Sequence, residues 1–199
     1  DVYIKDLSAS GYTVHCIVRD NQALGSVKFP TWTSNKDASG NDQDDIIWGS
    51  AGAIAGSAWE LNYRVNISEH NNEVNCWYNT HIYCYDASGN ETVYKVAPVF
   101  VENIPPVISD VKIENVSETG YTISCIVKDE HSGVDRVQFP TWYENDNPYE
   151  NSGIWQTSSF CSGKLENGRY VYRVNISDYN NKFGKYTTDI YAYDGCGNI

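Results

Sequence analysis

The chain of 199 residues contains no methionine and few cations. Only 14 Lys and Arg stand against 26 Asp and Glu, so the formal net charge is −12 at pH 7. So few cations cannot neutralise a phosphate backbone, which argues against nucleic acid and against an anionic membrane surface as partners. The sequence also lacks the run of about 18 uncharged apolar residues that a spanning helix requires, so we predict no membrane insertion.

Apolar and aromatic residues are abundant. Hydrophobic residues make up 41% of the chain and include 6 Trp, 16 Tyr and 5 Phe, which is too apolar for a disordered protein. The length suffices for one large domain or two small ones. Because the chain has no methionine and begins at Asp1, we expect it to be a processed or excised piece of a longer protein.

An internal repeat divides the chain into two copies of one module. Residues 11–20, GYTVHCIVRD, return as residues 120–129, GYTISCIVKD. Two further repeated segments are FPTW at 29–32 and 139–142, and YRVNIS at 63–68 and 172–177. The Pro-Pro pair at 105–106 stiffens the joint between the copies. We therefore predict domains at residues 1–102 and 103–199, connected by a short proline-containing linker.

The apolar pattern within each copy has a period of two. Tyr12, Val14, Cys16 and Val18 alternate with polar side chains, as the matching residues of the second copy do. Turn sequences such as DASGN at 86–90 separate these segments, and no stretch has the pattern of an amphipathic helix. This predicts an all-β protein of two tandem Ig-like antiparallel β-sandwiches.

The two copies differ at their ends. After its turn the first copy continues through residues 91–101, which have the pattern of a closing strand, whereas the second copy stops at Ile199. We expect the second sandwich to lack its last strand and to expose a sheet edge. Either further residues supply this strand or a neighbouring chain covers the edge, as in an edge-strand dimer through the second copy.

Two of the six cysteines lie at inward positions of predicted strands. Cys16 and Cys84 have Trp32 between them in sequence, an order that resembles the immunoglobulin core, in which a disulfide packs on a Trp. A Cys16–Cys84 disulfide is therefore a candidate, with Trp32 and its counterpart Trp142 as core residues. Ala192 replaces the second cysteine in the other copy, so the remaining pairings stay open. Free buried thiols are an equal alternative.

A second pair of tryptophans follows a polar loop in each copy. Trp48 and Trp155 are the candidates for glycan binding, because flat indoles match the apolar C–H faces of sugar rings. Asp44 and Asp45 precede Trp48 and could accept hydrogen bonds from sugar hydroxyls. The alternative for both tryptophans is burial in the core.

No pattern in the sequence points to catalysis or to a cofactor. The chain has no CxxC pair and no HExxH motif, which leaves zinc unsupported. The acidic stretch at 37–45 lacks the register of an EF-hand loop, so a solvated loop explains it better than a Ca²⁺ site. Cys76 with His70 or His81 is the best Cys/His combination, but nothing singles out a partner. We predict no enzyme, no metal and no cofactor.

The segments GYT, FPTW, QDDIIW at 43–48, HNN at 70–72 and IYCYD at 82–86 together resemble the GBS Bsp-like repeat family. The resemblance covers nearly all of both copies. The second copy departs from it, since SGIW replaces the Asp-Asp segment and Tyr179 replaces His70. The resemblance implies tandem repeats in secreted or surface proteins of Gram-positive bacteria, often beside peptidoglycan hydrolases, with no defined ligand.

These observations predict a non-catalytic accessory module of a secreted or cell-wall-associated bacterial protein. Its expected partner is peptidoglycan or another surface glycan, bound through Trp48, Trp155 and the neighbouring Asp residues. The alternative is a structural spacer or protein-adhesion module without a small-molecule ligand. The exposure of Trp48 distinguishes the two, because a binding site needs accessible apolar surface.

Overall fold

The structure is a computed structural model that describes residues 1–34, 43, 45–51, 58–148, 150 and 159–199. It divides into two compact units, Asp1–Ile104 and Pro105–Ile199, whose boundary lies two residues beyond the predicted one. Both units consist of antiparallel strands and short 3-10 turns. The prediction of an all-β tandem sandwich is confirmed. No helix in the described part of the chain is long and apolar enough to cross a membrane.

The first unit contains eight strands among its described residues. In chain order they are β1 (Val2–Ser8), β2 (Gly11–Arg19), β3 (Leu24–Ser34), β4 (Ile47–Ala51), β5 (Ala58–Asn66), β6 (Cys76–Asp86), β7 (Glu91–Lys95) and β8 (Val99–Val101). One sheet has the order β1-β2-β5, and the other has the order β4-β3-β6-β7, with β8 also paired to β6. Alternation along each strand directs one set of side chains between the sheets.

The core of the first unit lies between these two sheets. Its largest fully buried side chains include Tyr12, Phe29, Trp59 and Tyr78, and the Phe29 ring stacks on Tyr63 at 4.7 Å. The last residues of the first unit add three valines to this core, Val96, Val99 and Val101. Burial of so many aromatic and aliphatic side chains is the main source of its stability.

The second unit contains another eight strands among its described residues. They are β9 (Val107–Ser117), β10 (Gly120–Lys128), β11 (Val134–Gln138), β12 (Thr141–Tyr143), β13 (Lys164–Glu166), β14 (Arg169–Asn175), β15 (Tyr186–Thr188) and β16 (Tyr191–Asp194). One sheet has the order β13-β14-β10-β9. Facing it, β11 pairs with β16 and β12 pairs with β15.

The repeat is preserved in individual hydrogen bonds. The Tyr12 hydroxyl lies 2.7 Å from Thr80 Oγ1, and the Tyr121 hydroxyl lies 2.7 Å from Thr188 Oγ1. The final turns also match, because the carboxylate of Asp86 accepts hydrogen bonds from Asn90 as that of Asp194 does from Asn198. These Asx-type contacts satisfy the backbone at the turn and explain the repeated Asp-x-x-Gly-Asn spacing.

The expected disulfide between Cys16 and Cys84 is not formed. Among the described residues, which include all six cysteines, no disulfide is present. Cys16 and Cys84 lie on opposite sheets and line an open groove of about 310 Å³, so the sheets stand apart at this end of the sandwich. Burial, followed by the neighbouring Cys84, raises the pKa of the Cys16 thiol to about 11. Both sulfurs therefore remain protonated thiols at neutral pH.

The predicted core tryptophans lie elsewhere than expected. Trp32 is buried, with 3% of its surface exposed. Phe29 and Thr31 occupy inward positions of β3, so Trp32 points away from the inter-sheet core. Trp142 is half-buried and occupies the matching outward position on β12. The core of the first unit contains Trp59 of β5 instead. Trp59 lies on the same face of β5 as Leu61 and Val65, and this face points inward.

Candidate functional site

Aromatic side chains line the outer face of the β4-β3-β6-β7 sheet in the first domain. Trp48 lies with its ring centroid 5.3 Å from that of Tyr83, and Tyr83 lies 6.3 Å from His81. The His81 ring meets Trp32 edge-on at 4.8 Å. These four side chains, Trp32, Trp48, His81 and Tyr83, form what we call the aromatic face. Each occupies the outward position of its strand because the strand's inward positions fill the core.

Exposure is concentrated at one end of the aromatic face. Trp48 is 53% exposed, Tyr83 and His81 are half-buried, and Trp32 is buried. Tyr83 supports the indole from one side, which restricts its rotation while leaving much of the ring accessible. A large, supported and accessible aromatic surface of this kind is suited to ligand contact.

Two cations border the aromatic face. Lys28 pairs across the sheet with Tyr83, and Lys95 pairs with His81, so both project from the same side as the aromatic rings. The Lys28 ammonium also lies 5.5 Å from the Tyr85 ring centroid. Burial and the charge of Lys95 lower the pKa of His81. His81 is therefore a neutral imidazole at pH 7, able to donate one hydrogen bond and accept another.

Asp45 does not lie on the aromatic face. Its carboxylate accepts hydrogen bonds from the Thr33 backbone N–H at 2.8 Å and the Thr33 hydroxyl at 2.9 Å, and it contacts His70 Nδ1 at 2.9 Å. Burial alone would raise the pKa of Asp45, but these hydrogen bonds from Thr33 and His70 lower it. Asp45 therefore stays ionised and ties the segment before β4 to β3. Asp44 and Trp155 lie outside the described residues.

Residues 3–99 match the model of the GBS Bsp-like repeat family. The first domain is a repeat of this family. The match indicates a module of a bacterial surface protein, and it covers the whole aromatic face and the Asp45–His70 pair. Residues 100–199 match a second family, described as Domain of unknown function (DUF7743). The predicted resemblance is thus confirmed for the first domain, while the second domain is assigned separately.

One solved structure is similar over nearly the whole chain. The crystal structure of chicken CNTN1 FN1-FN3 domains is similar with a TM-score of 0.48 and 13% sequence identity. The similarity covers 99% of this chain and 62% of that chain, so the chain spans less than two thirds of its length. No curated protein matches the chain.

The DUF7743 domain has a different surface at the matching place. Tyr191 and Tyr193 occupy the outward positions of β16 that correspond to Tyr83 and Tyr85 in the GBS Bsp-like repeat. Cys161, which is fully buried, packs against both rings. The Arg136 guanidinium lies 3.8 Å from the Tyr193 ring centroid and covers it further. The rings of Tyr191 and Tyr193 are therefore largely covered.

The described residues of the GBS Bsp-like repeat do not assemble a catalytic group. Burial, followed by the charges of Glu73 and Asp45, raises the pKa of Cys76 to about 12, so its thiol is not a nucleophile at neutral pH. His70 is buried against Tyr78 and bound to Asp45. Within either unit alone, the described residues bring no three metal-ligating side chains together. The acidic stretch at 37–45 lies mostly outside the described residues.

The sequence patterns identify Trp48 but not its neighbours. They single out neither Tyr83 nor Lys28, and they offer His81 only as a partner for Cys76. Their signal is nevertheless present: the outward positions of β6 read Trp77, Asn79, His81, Tyr83 and Tyr85, an aromatic-rich series where a solvated face is usually polar.

Proposed function

We propose that the first domain is a non-catalytic glycan-binding module of a secreted or cell-wall-associated bacterial protein, and that its aromatic face holds the sugar. The observation that carries this proposal is the exposed indole of Trp48 supported by Tyr83. Trp48 lies in the segment that matches the GBS Bsp-like repeat family.

Sugar recognition fits the chemistry of this face. A pyranose ring presents C–H groups that pack on a flat aromatic surface, and Trp provides that surface with little rotamer entropy to lose. The neutral imidazole of His81 supplies a hydrogen-bond donor and an acceptor for ring hydroxyls. Tyr83 adds a hydroxyl beside the indole. Apolar contact with a few polar groups at its edge is the usual composition of a small-ligand site.

The charge around the face favours an anionic glycan. Lys28 and Lys95 project from this side of the sheet and outnumber Glu91, which pairs with Tyr85 there, although the chain as a whole carries a net charge of −12. Carboxylate-bearing glycans, such as the peptidoglycan of a bacterial wall, match this arrangement. Because the lysines are exposed, we expect this contribution to weaken as ionic strength rises.

Sedimentation of the chain with isolated peptidoglycan sacculi tests the proposal. We expect saturable binding that Trp48→Ala weakens at least about tenfold, as removal of a central aromatic contact does. Tyr3→Ala is the matched control, because Tyr3 is 50% exposed but lies on the outer face of the opposite sheet. Trp155→Ala is measured alongside, since the sequence repeat pairs Trp155 with Trp48.

Each outcome has a defined meaning. Binding that survives Trp48→Ala would contradict the assignment of the site. Absence of binding to sacculi of any composition would favour the alternative, a spacer or protein-adhesion module. Equal losses for Trp48→Ala and Tyr3→Ala would indicate a general effect on the domain instead of a site on its aromatic face.

A further inference from the structure

The exposed indole of Trp48 leans across the sheet instead of standing above its own strand. Trp48 of β4 pairs with Pro30 of β3, and Tyr83 of β6 lies one strand further on. Two strand spacings separate the backbones of Trp48 and Tyr83 by about 10 Å. Their ring centroids are nevertheless only 5.3 Å apart, so the indole extends over β3 toward β6. Pro30, which lies between these strands, is buried, in agreement with this direction.

Two residues of β7 continue the same surface. Val93 stands opposite Tyr83 and Lys95 opposite His81, so both point outward with their partners. Val93 is 40% exposed, and Lys95 is exposed as well. We call the resulting surface the transverse strip, and its members are Trp48, Tyr83, His81, Val93 and Lys95. Three strand spacings give it a length of about 14 Å, which exceeds the length of a single sugar ring.

The charge along β7 is uneven. Lys95 forms no ion pair within the part of the chain that the structure describes. Glu91, at the other end of β7, stands opposite Tyr85, and its hydrogen bond raises the pKa of that phenol. The Lys28 ammonium lies 5.5 Å from the centroid of the same Tyr85 ring. Lys28 and Glu91 thus share one end of the face, which leaves Lys95, beside His81, as the end with uncompensated positive charge.

This arrangement is particular to the first domain. By the sequence repeat, Asp189 stands where the first domain has His81, and Gln138 stands where it has Lys28. A carboxylate in place of a neutral imidazole repels an anion. The combination of an exposed indole, a neutral imidazole and a free ammonium therefore distinguishes the first domain as the one suited to an anionic ligand.

We propose that the transverse strip binds a linear oligosaccharide that lies across the strands, with one sugar ring on the Trp48 indole and the carboxylate of a later unit at Lys95. This inference rests on the proposed glycan binding and specifies its ligand. Trp48 holds neutral and anionic chains alike, because it contacts the apolar face of the sugar ring. Lys95 selects the anionic chain. Since a contact between exposed charges adds little affinity, its effect is on specificity.

Isothermal titration calorimetry of the intact chain with two matched tetrasaccharides tests the inference. One is the peptide-free tetrasaccharide of peptidoglycan, whose lactyl groups carry carboxylates, and the other is chitotetraose, which has the same backbone without them. We expect the anionic tetrasaccharide to bind about threefold more tightly at low ionic strength and the difference to disappear at high salt. The peptide-free disaccharide should bind at least about fivefold more weakly, because it covers only part of the strip.

Three lysine variants and one tryptophan variant locate the contacts. Lys95→Gln should abolish the preference for the anionic tetrasaccharide and leave the affinity for chitotetraose unchanged. Lys5→Gln is the matched control, because it removes the same charge from β1 in the opposite sheet, and it should leave the preference intact. Lys28→Gln should have a smaller effect than Lys95→Gln. Trp48→Ala should weaken both tetrasaccharides at least about tenfold.

The failure of this inference differs from the failure of glycan binding. Equal affinities for the two tetrasaccharides, a preference that survives Lys95→Gln, or equal binding of the disaccharide would overturn the inference and leave glycan binding intact. A larger loss of preference for Lys28→Gln than for Lys95→Gln would place the carboxylate at the Tyr85 end and overturn the orientation. Binding to sacculi without binding to either tetrasaccharide would also overturn it. Absence of binding to sacculi and to both tetrasaccharides would contradict the proposed function itself.

Discussion

The two domains share their inner framework and differ at the edges and on the outer faces. Phe29 stacks on Tyr63 with an interplanar angle of 6°, and Phe139 stacks on Tyr172 with an angle of 9°. The first domain closes its edge with β7 and β8 and exposes Trp48. The second domain has an open groove lined by Val116, Tyr121 and Tyr186, and the rings of Tyr191 and Tyr193 are covered. Core packing thus specifies the sandwich, and its rims are free to acquire separate binding properties.

The largest difference should appear when the segment at residues 91–101, which closes the first sandwich, is damaged. Val101→Asp places a carboxylate at a fully buried position, and we expect it to lower the free energy of unfolding of the first domain by more than about 4 kcal/mol. Urea denaturation followed by tryptophan fluorescence measures the change, because Trp59 reports on this core. The second domain should retain its own transition.

A contrasting change in the second domain is Val116→Asp, at an exposed apolar position of β9. Since Val116 is 75% exposed, we expect a change in unfolding free energy within about 0.5 kcal/mol. A loss comparable to that of Val101→Asp would mean that the groove is closed in solution. The comparison between a closed and an open sandwich would then be incorrect.

The fold could be predicted because its signals are local and repeated. Alternation from Tyr12 to Val18 predicts a strand that directs one set of side chains into the core, and the second copy repeats the pattern. The direction of Trp32 could not be predicted in the same way. Every residue from Phe29 to Ser34 is buried, so burial in this part of β3 does not alternate between its two faces. Its outward direction follows only from pairing with β6, which is a non-local property.

An intermediate effect should follow from removal of Asp45. Asp45→Ala leaves the Thr33 N–H and His70 without their buried acceptor, and we expect a loss of about 2–3 kcal/mol in the stability of the first domain. Asp45→Asn keeps the shape and one acceptor, so it should lose less. Tyr179 replaces His70 in the second domain, where this Asp–His contact therefore has no counterpart.

The contact between Asp45 and His70 predicts that the stability of the first domain depends on pH. Because folding lowers the pKa of Asp45, its contribution is complete above the unfolded-state value of about 3.9 and is lost as pH falls through the lower, folded-state pKa. Denaturation curves between pH 5 and pH 2 measure this. The first-domain transition of Asp45→Ala should respond less to acid than that of the unmodified chain. Parallel curves would contradict the assigned role of the carboxylate.

The candidate site could be predicted only in part. Trp48 was identified from its place after a polar loop, and its exposure agrees with that expectation. Asp45 was grouped with it by sequence proximity, yet the chain turns between them, so Asp45 faces Thr33 and His70. Adjacent residues at a loop–strand junction commonly point in opposite directions. For this reason, proximity in sequence is a poor guide to membership of one surface.

The smallest expected change in stability comes from the loss of one hydrogen bond, which the two domains place in different environments. Tyr12→Phe and Tyr121→Phe each remove a hydroxyl that lies 2.7 Å from a threonine Oγ1. Tyr12 is fully buried, whereas Tyr121 is half-buried beside the open groove, where water replaces a lost partner more readily. We expect about 1.5 kcal/mol for Tyr12→Phe and about 0.5 kcal/mol for Tyr121→Phe by urea denaturation. If the two values are equal, the groove is shielded from water.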